Sequence, residues 1–281
     1  MTALIALVSA LVFGTADFAG GLATRKDNTF RVTASAQIVG LATATVLVVI
    51  VGWDAIEVAD AAGGMIAGAA GALALTCFYL ALSTGVMSIV APTTAVVGAT
   101  IPAGVGIARG EDIGGWTLAG LLIAVLAIVL VSREPSDVGA EASTPRSAML
   151  LAAVAGVGFA IFFIAMETTD EASGMWPLVF ARLISIPIAA ALAFRFADRR
   201  VVPVTRESRR LTVIAGVLDM SANALLLVAL RRDALAIASV FGSLYPVSTV
   251  LLAWVLLRER LARSQLVGVA LALGALALVA V

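Results

Sequence analysis

GEDIGGWTLAGLLIAVLAIVLVS (Gly110–Ser132) and RERLARSQLVGVALALGALALVAV (Arg258–Val281) decide how this chain is to be read. Laid end to end, they set Glu111 against Glu259 and Gly120 against Gly268. The same register pairs Gly68 with Gly216 and Ala81-Leu82 with Ala229-Leu230. VFGTADF and VGFAIF match more weakly. Greasy helical stretches resemble each other by composition alone, but coincident Glu and Gly positions favour true repetition. Each stretch also carries an apolar run of roughly 20 residues, the length that crosses a ~30 Å bilayer core at ~1.5 Å per residue.

Composition agrees with that solvent. Of 281 residues 62% are hydrophobic and 13% charged, with a mean hydropathy of +1.10. Soluble domains run nearer ~45–50% apolar and ~25% charged. The formal net charge is zero, which argues against a nucleic-acid partner. The chain has no histidine, which removes histidine-based metal sites and histidine general bases. The single cysteine, Cys77, cannot close an internal disulfide. Lys26, the one lysine, sits in RKDNT rather than in a phosphate-binding loop, so no Walker-type ATP site and no cofactor is implied. MTALIALVSA lacks a basic leader region and reads as a retained first span.

Cutting at charged and turn-rich breaks gives ten expected spans: 3–22, 32–52, 61–82, 88–107, 115–132, 147–166, 174–194, 211–230, 235–257 and 264–281. SREPSDVGAEASTPRS (Ser132–Ser147) has the composition of a linker and divides five spans from five. The expected organisation is a repeat over 1–132, a linker over 133–146 and a repeat over 147–281. An odd number of spans per repeat makes the second half enter the membrane in the opposite sense. The expected fold class is therefore an all-α membrane protein of ten transmembrane helices in two inverted five-helix repeats, an arrangement of secondary transporters that hold substrate near the midplane.

Several of these residues carry a family resemblance. VMSIVAP before a proline-bearing fourth span, then GED and a glycine-bearing span, resembles the EamA-type half-repeat of the drug/metabolite transporter superfamily. So does LYPVSTVLLAWVLLRERLARSQLVGVALALG, through Pro246, the Glu259-Arg260-Leu261 corner and Gly268. VFGTADFAGGLATRK is similar to the opening of a bacterial subgroup. The resemblance covers essentially the whole chain and implies export of amino acids or other metabolites, without naming the substrate. It also implies cytoplasmic termini. Charge points the other way: Arg109, Arg231 and Arg232 lie on the N-terminal side, against fourteen Lys/Arg on the opposite side, many in RFADRRVVPVTRESRR (Arg195–Arg210). The positive-inside rule makes that second side cytoplasmic and both termini external.

Polar groups at membrane depth mark the candidate site. Counted along each span from the N-terminal side, Asp17 lies at ~21 Å, Asp219 at ~18 Å, Gln37 at ~22 Å, and Arg182 with Asn223 near ~12 Å. Charges there are costly, face a bundle interior or wet cavity, and mark pathways. Asp219 and Asn223 are four apart and share a helix face. Aligning SAQIVG with FARLIS sets Gln37 opposite Arg182, while Asp17 meets Ile161, so the expected site is asymmetric. Arg182 and Asp219 read either as a structural ion pair or as a fork for a substrate carboxylate. Asp17 reads either as an acceptor for neighbouring hydroxyls or as a proton carrier, since burial disfavours the charged carboxyl. Glu167, Asp170 and Glu171 read as a solvated loop.

Pro92 and Pro102 in span four, Pro187 in span seven and Pro246 in span nine are expected to interrupt or kink their helices. Thr93, Thr94, Ser243 and Ser248 would then satisfy freed carbonyls or touch ligand. Tyr79 and Tyr245, the two tyrosines, fall within spans and suit either a cavity wall or a packed core. Gly64–Gly68 and Gly106–Gly110 fit small-residue helix contacts. The chain lacks GxGD and HExxH motifs, which disfavours an intramembrane enzyme. The expected activity is secondary active transport, export of a small polar, amino-acid-like metabolite by alternating access, with proton coupling through Asp17. An uncoupled uniporter, exchanger or channel-like permease is the alternative. Expected partners are a small-molecule substrate and membrane lipid, in a monomer or homodimer of the bacterial plasma membrane.

Overall fold

The computed structural model describes the chain except for Arg25, Asp233, Val281 and residues 85–86, 132–144, 197–204 and 258–261. The linker expected at 133–146 lies outside the described residues apart from Pro145 and Arg146, as does the Glu259-Arg260-Leu261 corner. Described regular structure is helical throughout, with no strand. The helices are α1 (Thr2–Thr24), α2 (Thr29–Val51), α3 (Val58–Thr84), α4 (Met87–Ala108), α5 (Gly115–Val131), α6 (Arg146–Glu167), α7 (Trp176–Phe196), α8 (Arg206–Leu230), α9 (Leu235–Gly242), α10 (Tyr245–Leu257) and α11 (Arg263–Ala280). A 3-10 turn, Glu171–Ser173, precedes α7. Among the described residues, five helices are long and apolar enough to cross a membrane, and five shorter apolar stretches accompany them.

Large apolar side chains such as Val49, Leu122, Leu183 and Leu273 stand exposed on the bundle's outside, as a hydrocarbon solvent allows and water does not. Trp53, Trp116 and Trp176 gather at the end of the bundle that carries the N-terminus, and Trp254 lies near the other end. This is the placement of an interfacial aromatic belt. The chain is an integral membrane protein.

Three of the four prolines do not interrupt their helices. α4 runs unbroken through Pro92 and Pro102, and α7 through Pro187. The ninth expected span alone is split, into α9 and α10, and the break falls at Ser243–Leu244 just ahead of Pro246. A proline cannot donate to the preceding turn, but the rest of a long apolar helix can absorb that loss.

Glycines govern how closely the helices approach. Gly68 of α3 lies so tightly on the Ala181 carbonyl of α7 that a methyl group would overlap it. Gly216 of α8 lies on the Ala36 carbonyl of α2, where a Cβ would come within 2.6 Å. Gly120 of α5 faces Ala275 and Val279 of α11, and Gly268 of α11 faces Ala127 and Val131 of α5. These are the pairs that the sequence register matches, and each contact recurs with the two stretches exchanged. Gly64 also packs on α7, against Pro177 and Phe180. Gly106 instead accommodates the Glu111 carboxylate, and Gly110 takes a left-handed turn (φ 93°), so that second pair is a corner rather than a helix contact.

Long-range polar ties close both ends of the bundle. Near the N-terminal end, Glu111 accepts hydrogen bonds from the backbone N–H groups of Leu235 (2.8 Å) and Ala236 (3.1 Å). It therefore caps α9 from the α4–α5 corner, where the first N–H groups of a helix need acceptors and favour negative charge. Arg231 donates to Thr169, Ser173 and Gly174, and Asp60 accepts from the N–H of Asp170. Burial pushes the Arg231 guanidinium below its ordinary value, opposed by the charges of Asp60, Glu171 and Asp170. Of the acids expected in a solvated loop, Asp170 and Glu171 are exposed; Asp170 also caps the 3-10 turn, and Glu167 pairs with Arg109 at 2.7 Å. At the opposite end Lys26 pairs with Glu207 at 2.5 Å.

Candidate functional site

Four helices bring a polar constellation together inside the bundle. Arg182, from α7, donates one guanidinium nitrogen to the Gln37 side-chain oxygen of α2 and another to the Asp219 carboxylate of α8. Ser185, one turn on along α7, donates to the same Gln37 oxygen at 3.2 Å. Asn223 donates its amide to the Asp219 backbone carbonyl at 2.8 Å. Gly40, one turn beyond Gln37, leaves the room: a Cβ there would come within 3.2 Å of the Arg182 Nε. Sequence reasoning missed Ser185 and Gly40. The signal was spacing, since each follows a site residue by three positions and so shares its helix face.

Asp17 completes the group from α1. Ala3, Ala10 and Asp17 recur at seven-residue spacing and share one face, well round the helix from the exposed Leu4, Val8 and Leu11. The two alanines are buried, yet Asp17 is exposed. Asp219 likewise lies on the side of α8 away from exposed Val213, Ile214 and Val217, among buried Thr212, Ala215 and Asn223, and its side chain is 41% accessible. Two accessible carboxylates on inward faces place an opening inside the bundle. Ser9 and Gly20 hold α1 on α8, while Ala10 receives a hydrogen bond from Ser248 of α10, so Asp17 points between those helices. Asp17 lies within electrostatic reach of Asp219 and has no hydrogen bond to any described residue.

The remaining expected site residues do not all join. Thr94 is buried and donates to the Ala152 carbonyl of α6 at 3.0 Å, a helix-to-helix contact. Ser243, just past the end of α9, donates back to the Ser239 carbonyl of that helix at 2.8 Å. Both hydroxyls donate to backbone carbonyls within the protein. Thr93 is half-buried, and Tyr245 is half-buried against the main apolar core. The Tyr79 side chain lies outside the described residues. Among the described residues no cluster of acids or cysteine has the composition of a metal site.

Comparison with known proteins then gives the class. The profile of the EamA-like transporter family, part of the drug/metabolite transporter superfamily, matches residues 146–281. A crystal structure of a protein with 17% sequence identity superposes at a TM-score of 0.74. The match covers 100% of this chain and 98% of the other, so the fold is shared over the whole length. No curated protein matches. Members of the matched family are membrane transporters or permeases.

Proposed function

We propose that the chain is a secondary active transporter that exports a small polar metabolite across the bacterial plasma membrane. It works by alternating access between two inverted five-helix halves, 1–132 and 147–281. Ten spans are read by counting α9 and α10 as one. The reciprocal packing of Gly68 on Ala181 and Gly216 on Ala36, and of Gly120 and Gly268 on each other's helices, supports the inverted repeat. Two like halves set antiparallel meet in this exchanged fashion.

The observation that carries the function is the opening lined by Asp17 and Asp219 at mid-span. An unpartnered carboxylate in a membrane is expensive and is retained where solute or protons pass. Asp17 is the coupling group: it takes a proton when the site is empty and loses it when solute enters. The arginine-rich end is cytoplasmic on the positive-inside rule, which leaves both termini outside.

The test compares metabolites in the medium of cells overproducing the wild type, Asp17→Asn at equal abundance, and empty vector. A solute accumulating only with the wild type supports export and coupling through Asp17. Equal accumulation with both proteins removes Asp17 from the mechanism and leaves an uncoupled uniporter or exchanger. No difference from vector removes export.

A further inference from the structure

The outward face of α8 carries charge at its start and hydrocarbon beyond. Arg206, Arg209 and Arg210 lie three and four positions apart, so they share one face of the first turns, and all three are exposed. Val213, Ile214 and Val217 continue the same stripe into the membrane and are exposed too. Val217 stands ~10 Å along the helix from Arg210. None of the three arginine side chains has a hydrogen bond or ion pair to another described residue. Lys26, Arg31, Arg109 and Arg182, by contrast, each pair with a carboxylate of the protein. Glu207, the acid within the stretch, is taken by Lys26.

The fold does not call for this charge. Three cations at such spacing repel one another, and cations at the start of a helix oppose its dipole. The repeat supplies an internal comparison. The register that sets Gly68 against Gly216 sets Val58, Ala61 and Ala62 of α3 against the three arginines, and Met65 and Ile66 against Val213 and Ile214. Met65 and Ile66 are exposed like their counterparts. The apolar stripe therefore belongs to both halves and the arginines to one.

We infer that this face of α8 binds an anionic phospholipid, its phosphate among Arg206, Arg209 and Arg210 and an acyl chain along Val213, Ile214 and Val217. Guanidinium forks suit phosphate oxygens, and a phosphate set among the three relieves their mutual repulsion. The arginine stems add apolar cover where headgroup meets hydrocarbon. A zwitterionic lipid brings its own cation and has less to gain. The inference rests on the chain's place in a membrane and stands apart from the transport reading above.

The test incubates the purified full chain, in a mild detergent, with equimolar phosphatidylglycerol and phosphatidylcholine of matched acyl chains. Native mass spectrometry reads the lipid retained per protein. Each basic residue beside an anionic surface shifts such a partition roughly fivefold, and three sharing one phosphate should favour phosphatidylglycerol about tenfold. Replacing the three together (Arg206→Gln, Arg209→Gln and Arg210→Gln) should bring the two lipids level. Arg146→Gln with Arg263→Gln, which removes two exposed arginines from the same end of the bundle, should leave the preference intact. Equal retention of both lipids by the wild type overturns the inference, and that comparison needs no variant. A preference that survives the triple replacement overturns it too. So does one that the Arg146 and Arg263 replacements abolish equally, since the whole end of the bundle and not this stripe would then attract the lipid. Excess inorganic phosphate should fail to displace the lipid; displacement would reveal a free-anion site and overturn the lipid reading.

Discussion

Removing either partner of the Arg182–Asp219 pair should have unequal consequences, because the pair is lopsided in its exposure. Asp219→Asn keeps the shape and one acceptor oxygen but removes the countercharge, so the guanidinium, which is 13% accessible, is left on neutral amide oxygens. Breaking a buried pair from one side costs about 3–5 kcal/mol, and the surviving acceptor puts this case near about 3 kcal/mol. Arg182→Met removes the occluded charge and leaves a carboxylate that is 41% accessible and able to take water from the opening. Gln37 then keeps its bond from Ser185. Its cost should be about 1–2 kcal/mol, the scale of a lost hydrogen bond plus a partly exposed ion pair. The double variant should be more stable than Asp219→Asn alone, since the stranded cation has gone. Denaturation midpoints in mixed micelles, measured for all four proteins, give the cycle. A larger cost for Arg182→Met, or simple additivity, would refute the argument that the guanidinium is the buried member.

Other expectations follow from individual contacts. Glu111→Ala should cost about 1–2 kcal/mol and speed amide exchange at Leu235 and Ala236, with Glu111→Gln intermediate because it keeps one acceptor. Gly68→Val and Gly216→Val should both lower the yield of folded protein, each by about 1–3 kcal/mol or more of overpacking, judged by monodispersity in detergent. Gly274→Ala should be close to silent in the same assay, because nothing lies within 4 Å of its added methyl. Topology reporters should show the 197–204 segment on the cytoplasmic side and the C-terminus outside; the reverse pattern would mean that the arginine count misleads here.

The helical plan was legible because roughly twenty-residue apolar runs leave little choice in a bilayer. The polar constellation was legible in part for the same reason: Asp17, Gln37, Arg182 and Asp219 stand out against hydrocarbon. Which of them touch was not, because contact between α2, α7 and α8 depends on how closely glycines such as Gly40, Gly68 and Gly216 let those helices approach. The covering of Arg182 was invisible for that reason, and both readings of it stayed open. As a sign of interruption proline held only at Pro246, since Pro92, Pro102 and Pro187 sit inside continuous helices. Glu111 was read as a marker of repetition, and its service to α9 depends on a fold that brings residues 111 and 235 together.

The exchanged packing also bears on how such a chain is made. α1 rests chiefly on α8, α3 on α6 and α7, α4 on α6 and α9, and α5 on α11. Each of these early helices meets its main neighbour only after the ribosome has passed residue 146. α1 waits through the longest stretch of chain, and α5 waits for the last helix of all. During synthesis the early helices therefore have only their minor contacts with one another, and their main packing faces still lack protein partners. Assembly then proceeds as a late zippering of old helices onto new ones rather than as growth of one finished half beside another.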